Sequence, residues 1–155
     1  MANGKTYGIA FPFIRSSEGD YLKLTQTAND EIRTDLIHLL LTRKGSRYFL
    51  PDFGTRLYEY IFEPLDTPTF NNIEREIRDS CEKYIPNLKI TDISVKAIDP
   101  NEEVNFLTNS IESDGNTRQY VLPGLNVKEY TAKVRIDYVI TDDVFNTKDF
   151  VIINI

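Results

Sequence analysis

The sequence predicts an α+β domain: three helices packed on a small, mostly antiparallel sheet, with a long hairpin-like insertion between the later strands. Three observations predict it. Apolar residues recur every three or four positions in the first half of the chain and alternate in much of the second. Two strand-like runs near the end are separated by residues 99–128, a stretch rich in Asn, Glu, Ser and Gly. The length of 155 residues suits one domain, since a chain of ~150 residues buries roughly 68–70% of its unfolded surface. No repeat or low-complexity linker divides it, so residues 1–155 read as a single unit.

Residues 1–20 form an expected N-terminal arm. Tyr7, Ile9, Phe11 and Phe13 alternate on one face of an extended segment, and Pro12 confines that segment to an edge or a loop. Residues 21–25 read as a first strand. Thr27, Asn29 and Asp30 then offer N-cap oxygens to a helix whose apolar face carries Ile32, Leu36, Leu39 and Leu40, widened by Ile37 and Leu41. Arg43 and Lys44 complement the negative end of its dipole, and Gly45 supplies a left-handed exit. After an apolar-anchored turn over residues 47–52, Phe53, Leu57, Tyr60 and Ile61 share the face of a shorter helix stopped by Pro64. A third helix is capped by Thr67, has Pro68 at its first position, and presents Phe70, Ile73, Ile77, Cys81 and Tyr84 on one face before Pro86 closes it.

Residues 88–98 read as a strand whose apolar phase slips between Ile90 and Ile93, as a β-bulge makes it do. A later strand alternates strictly, with Tyr130, Ala132, Val134, Ile136, Tyr138 and Ile140 on one face and Lys133, Arg135 and Asp137 on the other. Residues 99–128 between them hold short apolar patches at 104–107 and 120–125, and fit a hairpin arm better than a core element. Residues 148–155 follow a turn over 142–146 and are apolar on both faces, so they are covered on both sides by this domain or by another chain. With no polar tail after Ile155, the free edge of Phe150, Val151, Ile152, Ile153, Asn154 and Ile155 is an expected docking edge.

Composition excludes several function classes. Eighteen Lys and Arg against twenty-four Asp and Glu give a net charge of −6, which argues against an electrostatic grip on nucleic acid. One Cys and one His exclude a disulfide framework and leave too few ligands for a zinc site, so neither metal nor cofactor is expected. No run reaches the ~18 apolar residues of a membrane span, and the stretch 8–14 is broken by Pro12 and followed by Arg15, unlike a signal peptide. A soluble protein of a reducing cytoplasm is the expectation.

His38 lies between Ile37 and Leu39 with no Ser or Cys nucleophile in a recognisable motif, and reads as a packing or surface histidine. Cys81, on an apolar helix face, reads as a small hydrophobe. Glu18, Asp20, Asp52, Glu59 and Glu63 are the acids a glycoside hydrolase would draw on, but Glu59 and Glu63, four apart, share one side of a helix instead of facing across a sugar. Arg43, Lys44 and Arg47 make a basic knot that serves dipole complementation or an ion pair, or else binds an anion. There is no Gly-rich phosphate loop.

At Thr42, Arg43, Lys44, Gly45, Ser46 and Arg47, followed by Phe49, Pro51, Phe53, Gly54, Leu57, Phe62 and Glu63, the sequence resembles the small baseplate-wedge proteins of contractile phage tails. That sheath-initiator family includes a baseplate component of type VI secretion systems. The resemblance continues at Ile73, Glu74, Arg75, Ile77, Tyr84 and Pro86, and covers roughly residues 27–98 and the strand near 134–140. In this motif Gly45 and Gly54 permit left-handed or close backbone, Arg47 reaches a helix-end carbonyl or an acid, and Phe49, Phe53 and Phe62 anchor the turn in the core.

The resemblance implies a structural component of a virion tail baseplate, assembled in the host cytoplasm. It would bind the wedge's helical core bundle and initiate sheath polymerisation through its C-terminal strands, with hub, spike or tube proteins as further neighbours. The family's Glu-Pro-Arg, which grips the bundle, falls on Ile85, Pro86 and Asn87, where only the proline matches. Those three residues, with Lys44 and Arg47, are the expected bundle contact; the six residues from Phe150 onward are the expected sheath contact. Residues 99–128 exceed the family's usual turn and read as an added contact surface. Some members carry a historical lysozyme label, and the alternative function is a peptidoglycan hydrolase using paired carboxylates, although the matched residues include no acid and nucleophile pair.

Overall fold

A computed structural model describes residues 6–11, 13, 15, 16, 19, 21–97, 119–121, 132–141 and 146–155. The arm enters the fold through a short antiparallel ladder, β1 (Gly8–Ile9) on β2 (Leu24–Thr25). Tyr7 N donates to Thr25 O at 3.0 Å and Ala10 N to Lys23 O at 2.9 Å. The buried Thr25 hydroxyl accepts from Gly8 N at 2.8 Å and donates to the Glu31 carboxylate, which fastens the arm to the first helix. The expected strand over 21–25 is thus confined to its last two residues, and Pro12, Glu18 and Asp20 lie outside the described residues.

Helix α1 (Ala28–Leu41) is capped as its sequence predicts, the Thr27 hydroxyl accepting from Asp30 N at 3.2 Å, and buries Ile32, Leu36, Ile37, Leu39 and Leu40. Its exit differs from expectation. Gly45 is left-handed, with φ +88°, but lies in the following turn, where Ser46 N donates to Arg43 O at 3.1 Å. The helix has already stopped at extended Thr42, because Thr55 takes over its carbonyls: Thr55 N donates to Thr42 O at 2.9 Å and the buried Thr55 hydroxyl to Leu40 O at 3.0 Å. Orphan carbonyls at a helix end need such partners, and here a residue thirteen positions downstream of Thr42 provides them.

The second helical element is 3₁₀, Leu57–Phe62, and excludes Phe53. Helix α2 (Thr67–Tyr84) is capped one residue earlier than expected, by Asp66, whose carboxylate accepts from Thr69 N at 3.0 Å. Both residues are good caps. The charged carboxylate wins, and its hydrogen bond from Thr69 holds the Asp66 carboxyl below its usual pKa. Ile73, Ile77 and Cys81 are buried along its inner face.

The main sheet has strand order β3-β5-β6-β4, formed by β3 (Leu88–Ala97), β4 (Gln119–Val121), β5 (Ala132–Ile140) and β6 (Lys148–Asn154). The β3–β5 ladder is antiparallel and shifts register between Ile90 and Asp92, at the place where the apolar phase slips. Along β5 the residues Ala132, Val134, Ile136, Tyr138 and Ile140 all face inward, while Arg135 is exposed. Val134, Ile136, Tyr138 and Ile140 join the buried faces of α1 and α2, Leu57 and β6 residues Val151 and Ile153 in one core.

Two expectations are corrected by β4. Residues 99–128 contribute a sheet strand with a buried Tyr120; the rest of that stretch, with residues 122–131 and Tyr130, lies outside the described residues. In addition, β6 is an inner strand. It pairs antiparallel with β5 and, from Ile152 to Asn154, parallel with Gln119, Tyr120 and Val121. The ribbon's apolar character on both faces is therefore met largely within its own chain: Val151, Ile153, Asn154 and Ile155 are buried, and only the stretch from Lys148 to Val151 lacks a β4 partner. Asn154 donates its amide to Tyr120 O at 3.4 Å, while its buried Oδ1 has no partner among the described residues.

Candidate docking surfaces

The matched motif folds into a tied loop, residues 43–55. Lys44 N donates to Thr55 O at 3.0 Å, Gly45 N to Pro51 O at 2.7 Å and Phe53 N to Leu50 O at 3.1 Å, so the two ends of the loop are bonded to each other at its foot. Gly54 makes this possible. Its φ is +112°, and a Cβ there would stand 2.3 Å from the Thr42 carbonyl oxygen.

Arg47 meets neither a helix-end carbonyl nor an acid among the contacts seen here. Its guanidinium lies 4.0 Å from the centre of the Phe53 ring and donates to His38 Nε2 at 3.0 Å. Phe53 in turn packs edge-on against Tyr84, 5.1 Å between centroids, and His38 stacks on Phe11 at 6.3 Å. A guanidinium can only donate, so the Arg47 contact is made by the neutral His38 ring. Burial first, and the Arg47 charge second, pull its pKa below the ordinary value.

Phe49 and Phe62 are not core anchors. They are 93% and 90% exposed, and of the three expected anchors only Phe53 is even half-covered. Nothing in an aromatic residue's identity says whether it points inward, and in both cases the backbone turns the ring to solvent.

The α2–β3 corner carries the expected bundle contact. Ile85 closes α2 through its N–H to Cys81 O at 2.8 Å and is buried, so it shapes the corner without offering surface. Pro86 and Asn87 are exposed. Asn87 O is fixed by two donors from the end of β5, Thr141 N and Thr141 Oγ1, each at 2.9 Å. Beside it runs an open groove of about 390 Å³ lined by Arg78, Glu82, Pro86, Lys89 and Ile90 over Cys81 and Leu88. Arg78 is also bonded to Glu74 at 2.9 Å. Tyr84, two residues before Pro86, links this corner to the Phe53 and Arg47 stack. The structure thus connects Arg47 with the corner through two ring contacts, whereas the Lys44 N–H ties the foot of the loop to Thr55.

Of the expected sheath contact, Phe150 and Ile152 are half-buried on the sheet face opposite the helices. Arg135 lies over the Phe150 ring at 4.3 Å. Phe150 N donates to the carboxylate of its neighbour Asp149 at 2.9 Å, so its N–H lies outside the β5 ladder.

Chemistry finds little support. Asp52, Glu59 and Glu63 are exposed and line neither this groove nor a second one formed by Ser94, Lys96, Lys133, Arg135 and Ile152. Burial pushes the Cys81 thiol up to about 12, away from thiolate reactivity. Among the described residues no group of three or more His, Cys, Asp or Glu could hold a metal ion, and no helix is long and apolar enough to cross a membrane.

These features define a small α+β domain whose distinctive surfaces are a tied aromatic loop and a helix–strand corner. Residues 26–118 match the family profile of the baseplate wedge protein gp25, and the chain belongs to that family. It is 37% identical over 57 residues to the baseplate wedge protein gp25 of Enterobacteria phage T4; the match spans 37% of this chain and 43% of that protein, less than half of the relative's length. Two solved structures share the fold. One is a Geobacter sulfurreducens protein assigned by name as a tail lysozyme, with TM-score 0.59 and 18% identity, covering 86% of this chain and 94% of that one. The other is a chain of the anti-feeding prophage baseplate, with TM-score 0.53 and 24% identity, covering 61% and 73%.

Proposed function

We propose that this chain is a structural component of a contractile-tail baseplate, seated on the wedge's helical core through the α2–β3 corner and offering its sheet to the first sheath subunits. The observation that carries the reading is the match of the tied loop and α2 to the baseplate wedge family. The absence of the family's charged pair around Pro86 leaves the corner's grip to Pro86, Asn87 and the flanking groove, with the Arg47 stack behind it.

Sheath initiation works by strand addition in this reading, since backbone hydrogen bonds give a directional joint that successive rings repeat. The β6 edge is already taken by β4, but over three residue pairs only. A sheath strand that displaces β4 pairs along Phe150, Val151, Ile152, Ile153, Asn154 and Ile155. Because Val151, Ile153 and Ile155 are core residues, deleting this ribbon would unfold the sheet, which makes deletion an unsuitable test.

The test is removal of the gene from the particle that encodes it, with complementation in trans and electron microscopy of the products. Tubes or baseplates without sheath, restored to full tails by the wild-type chain, are expected. Normal sheathed tails without the chain would overturn the reading. Peptidoglycan hydrolysis has no arrangement of acids among the described residues to recommend it, and the fold likeness to the Geobacter protein, at 18% identity, speaks to architecture alone.

A further inference from the structure

The tied loop displays apolar surface that its own folding does not use. Tyr48 and Phe49 are 92% and 93% exposed, and Leu50 beside them is 46% exposed. The two rings pack edge to face with centroids 5.2 Å apart, so each limits the other's motion. Below them the loop is closed by the Gly45 to Pro51 and Phe53 to Leu50 hydrogen bonds and by Arg47 over Phe53. Large rings held out on a fixed backbone have little freedom left to lose on binding, which is the character of anchor residues at protein interfaces.

The charge around the tip narrows the partner. Residues 43–56 hold Arg43, Lys44, Arg47 and Arg56 against Asp52 alone, a net +3 in a chain of net −6. Arg47 is engaged with His38 and Phe53, whereas the Arg43 side chain is exposed. A second copy of this chain is a poor occupant, because the two grooves described above are net basic: one carries Arg78 and Lys89 against Glu82, the other Lys96, Lys133 and Arg135 with no acid among its lining residues. Like charge would meet like.

We propose that Tyr48 and Phe49 are the aromatic anchors by which this chain enters an apolar groove rimmed by carboxylates on the helical core of the wedge. The inference rests on the assembly role proposed above and names contact residues other than Pro86 and Asn87. The rings fill the groove, and Arg43 and Lys44 steer the approach and face its acidic rim.

The experiment measures binding of the full chain to the purified core-bundle wedge proteins encoded with it, by titration calorimetry and by association kinetics at several salt concentrations. The variants are Phe49→Ser, Tyr48→Ser and the double charge reversal Arg43→Glu with Lys44→Glu. Exposed positions should leave the thermal midpoint unchanged. Phe49→Ser is expected to weaken binding by about tenfold or more. The charge reversal should slow association and flatten its salt dependence. Wild-type affinity retained by both the folded Phe49→Ser variant and the charge reversal would overturn the anchor role and leave the assembly reading standing. Failure of the wild-type chain to bind these proteins at all would overturn both. Concentration-dependent self-association in light scattering that Phe49→Ser abolishes would assign the tip to a second copy and refute the acidic partner.

Discussion

Replacing Arg33 by Met strands a charge beneath α1. The Arg33 guanidinium donates through Nε at 2.9 Å, and through Nη2, to the Asp149 carboxylate, and the two side chains are only 13% and 8% exposed. Burial works against the arginine's charge, but its bonds to Asp149 outweigh that cost and raise its pKa above the ordinary value. Tyr138 adds its hydroxyl to the same carboxylate at 3.3 Å. The pair therefore joins α1 to β5 and β6 in a setting with little water. Removing one partner of such a pair typically costs about 3–5 kcal/mol, because the other charge is left uncompensated. For a chain of this length each kcal/mol moves the thermal midpoint by about 2–4 °C, so Arg33→Met should lower it by about 6–20 °C in calorimetry or circular dichroism. The double variant Arg33→Met with Asp149→Asn removes the stranded charge and keeps an acceptor for Tyr138; it should recover most of the loss. A double variant no more stable than Arg33→Met would refute the argument that the naked carboxylate is the source of the damage.

Gly54→Ala forces a Cβ onto the Thr42 carbonyl at a φ of +112° and threatens the Thr55 to Thr42 hydrogen bond; a loss of about 2–4 kcal/mol is expected, read as a lowered denaturant midpoint. His38 has a folded-state pKa below its unfolded value of about 6.5, so the unfolded chain takes up the proton first. Its contribution to stability is complete above that value, declines as pH falls through it, and levels off below the folded pKa. His38→Gln should remove this component from the pH dependence of the unfolding free energy.

Much of the fold was legible because side-chain period is a direct image of geometry. The face of α2, the strict alternation of β5 and the bulge between Ile90 and Asp92 are each written in the spacing of apolar residues. The junctions were less legible, since they are decided by long-range partners. The exit of α1 is set by Thr55 and not by Gly45, and the stack of Arg47, His38 and Phe53 joins residues with no periodic relation. The candidate surfaces divide in the same way. Pro86 and Asn87 are exposed as expected, Ile85 is buried, and Phe49 and Phe62 reverse their expected direction because hydrophobicity alone cannot separate core from interface. The free edge expected of β6 failed for a related reason: three parallel residue pairs leave almost no trace in the sequence of either strand.

The strand order β3-β5-β6-β4 also sets an order of events during synthesis. β4 leaves the ribosome before β5 and β6, yet its sheet neighbour among the described residues is β6, the later of the two. The β4 ladder therefore cannot form until β6 has been made. A ladder of three pairs opens more readily than the long ladders flanking β5, and amide exchange in Gln119–Val121 should outpace that in the middle of β5.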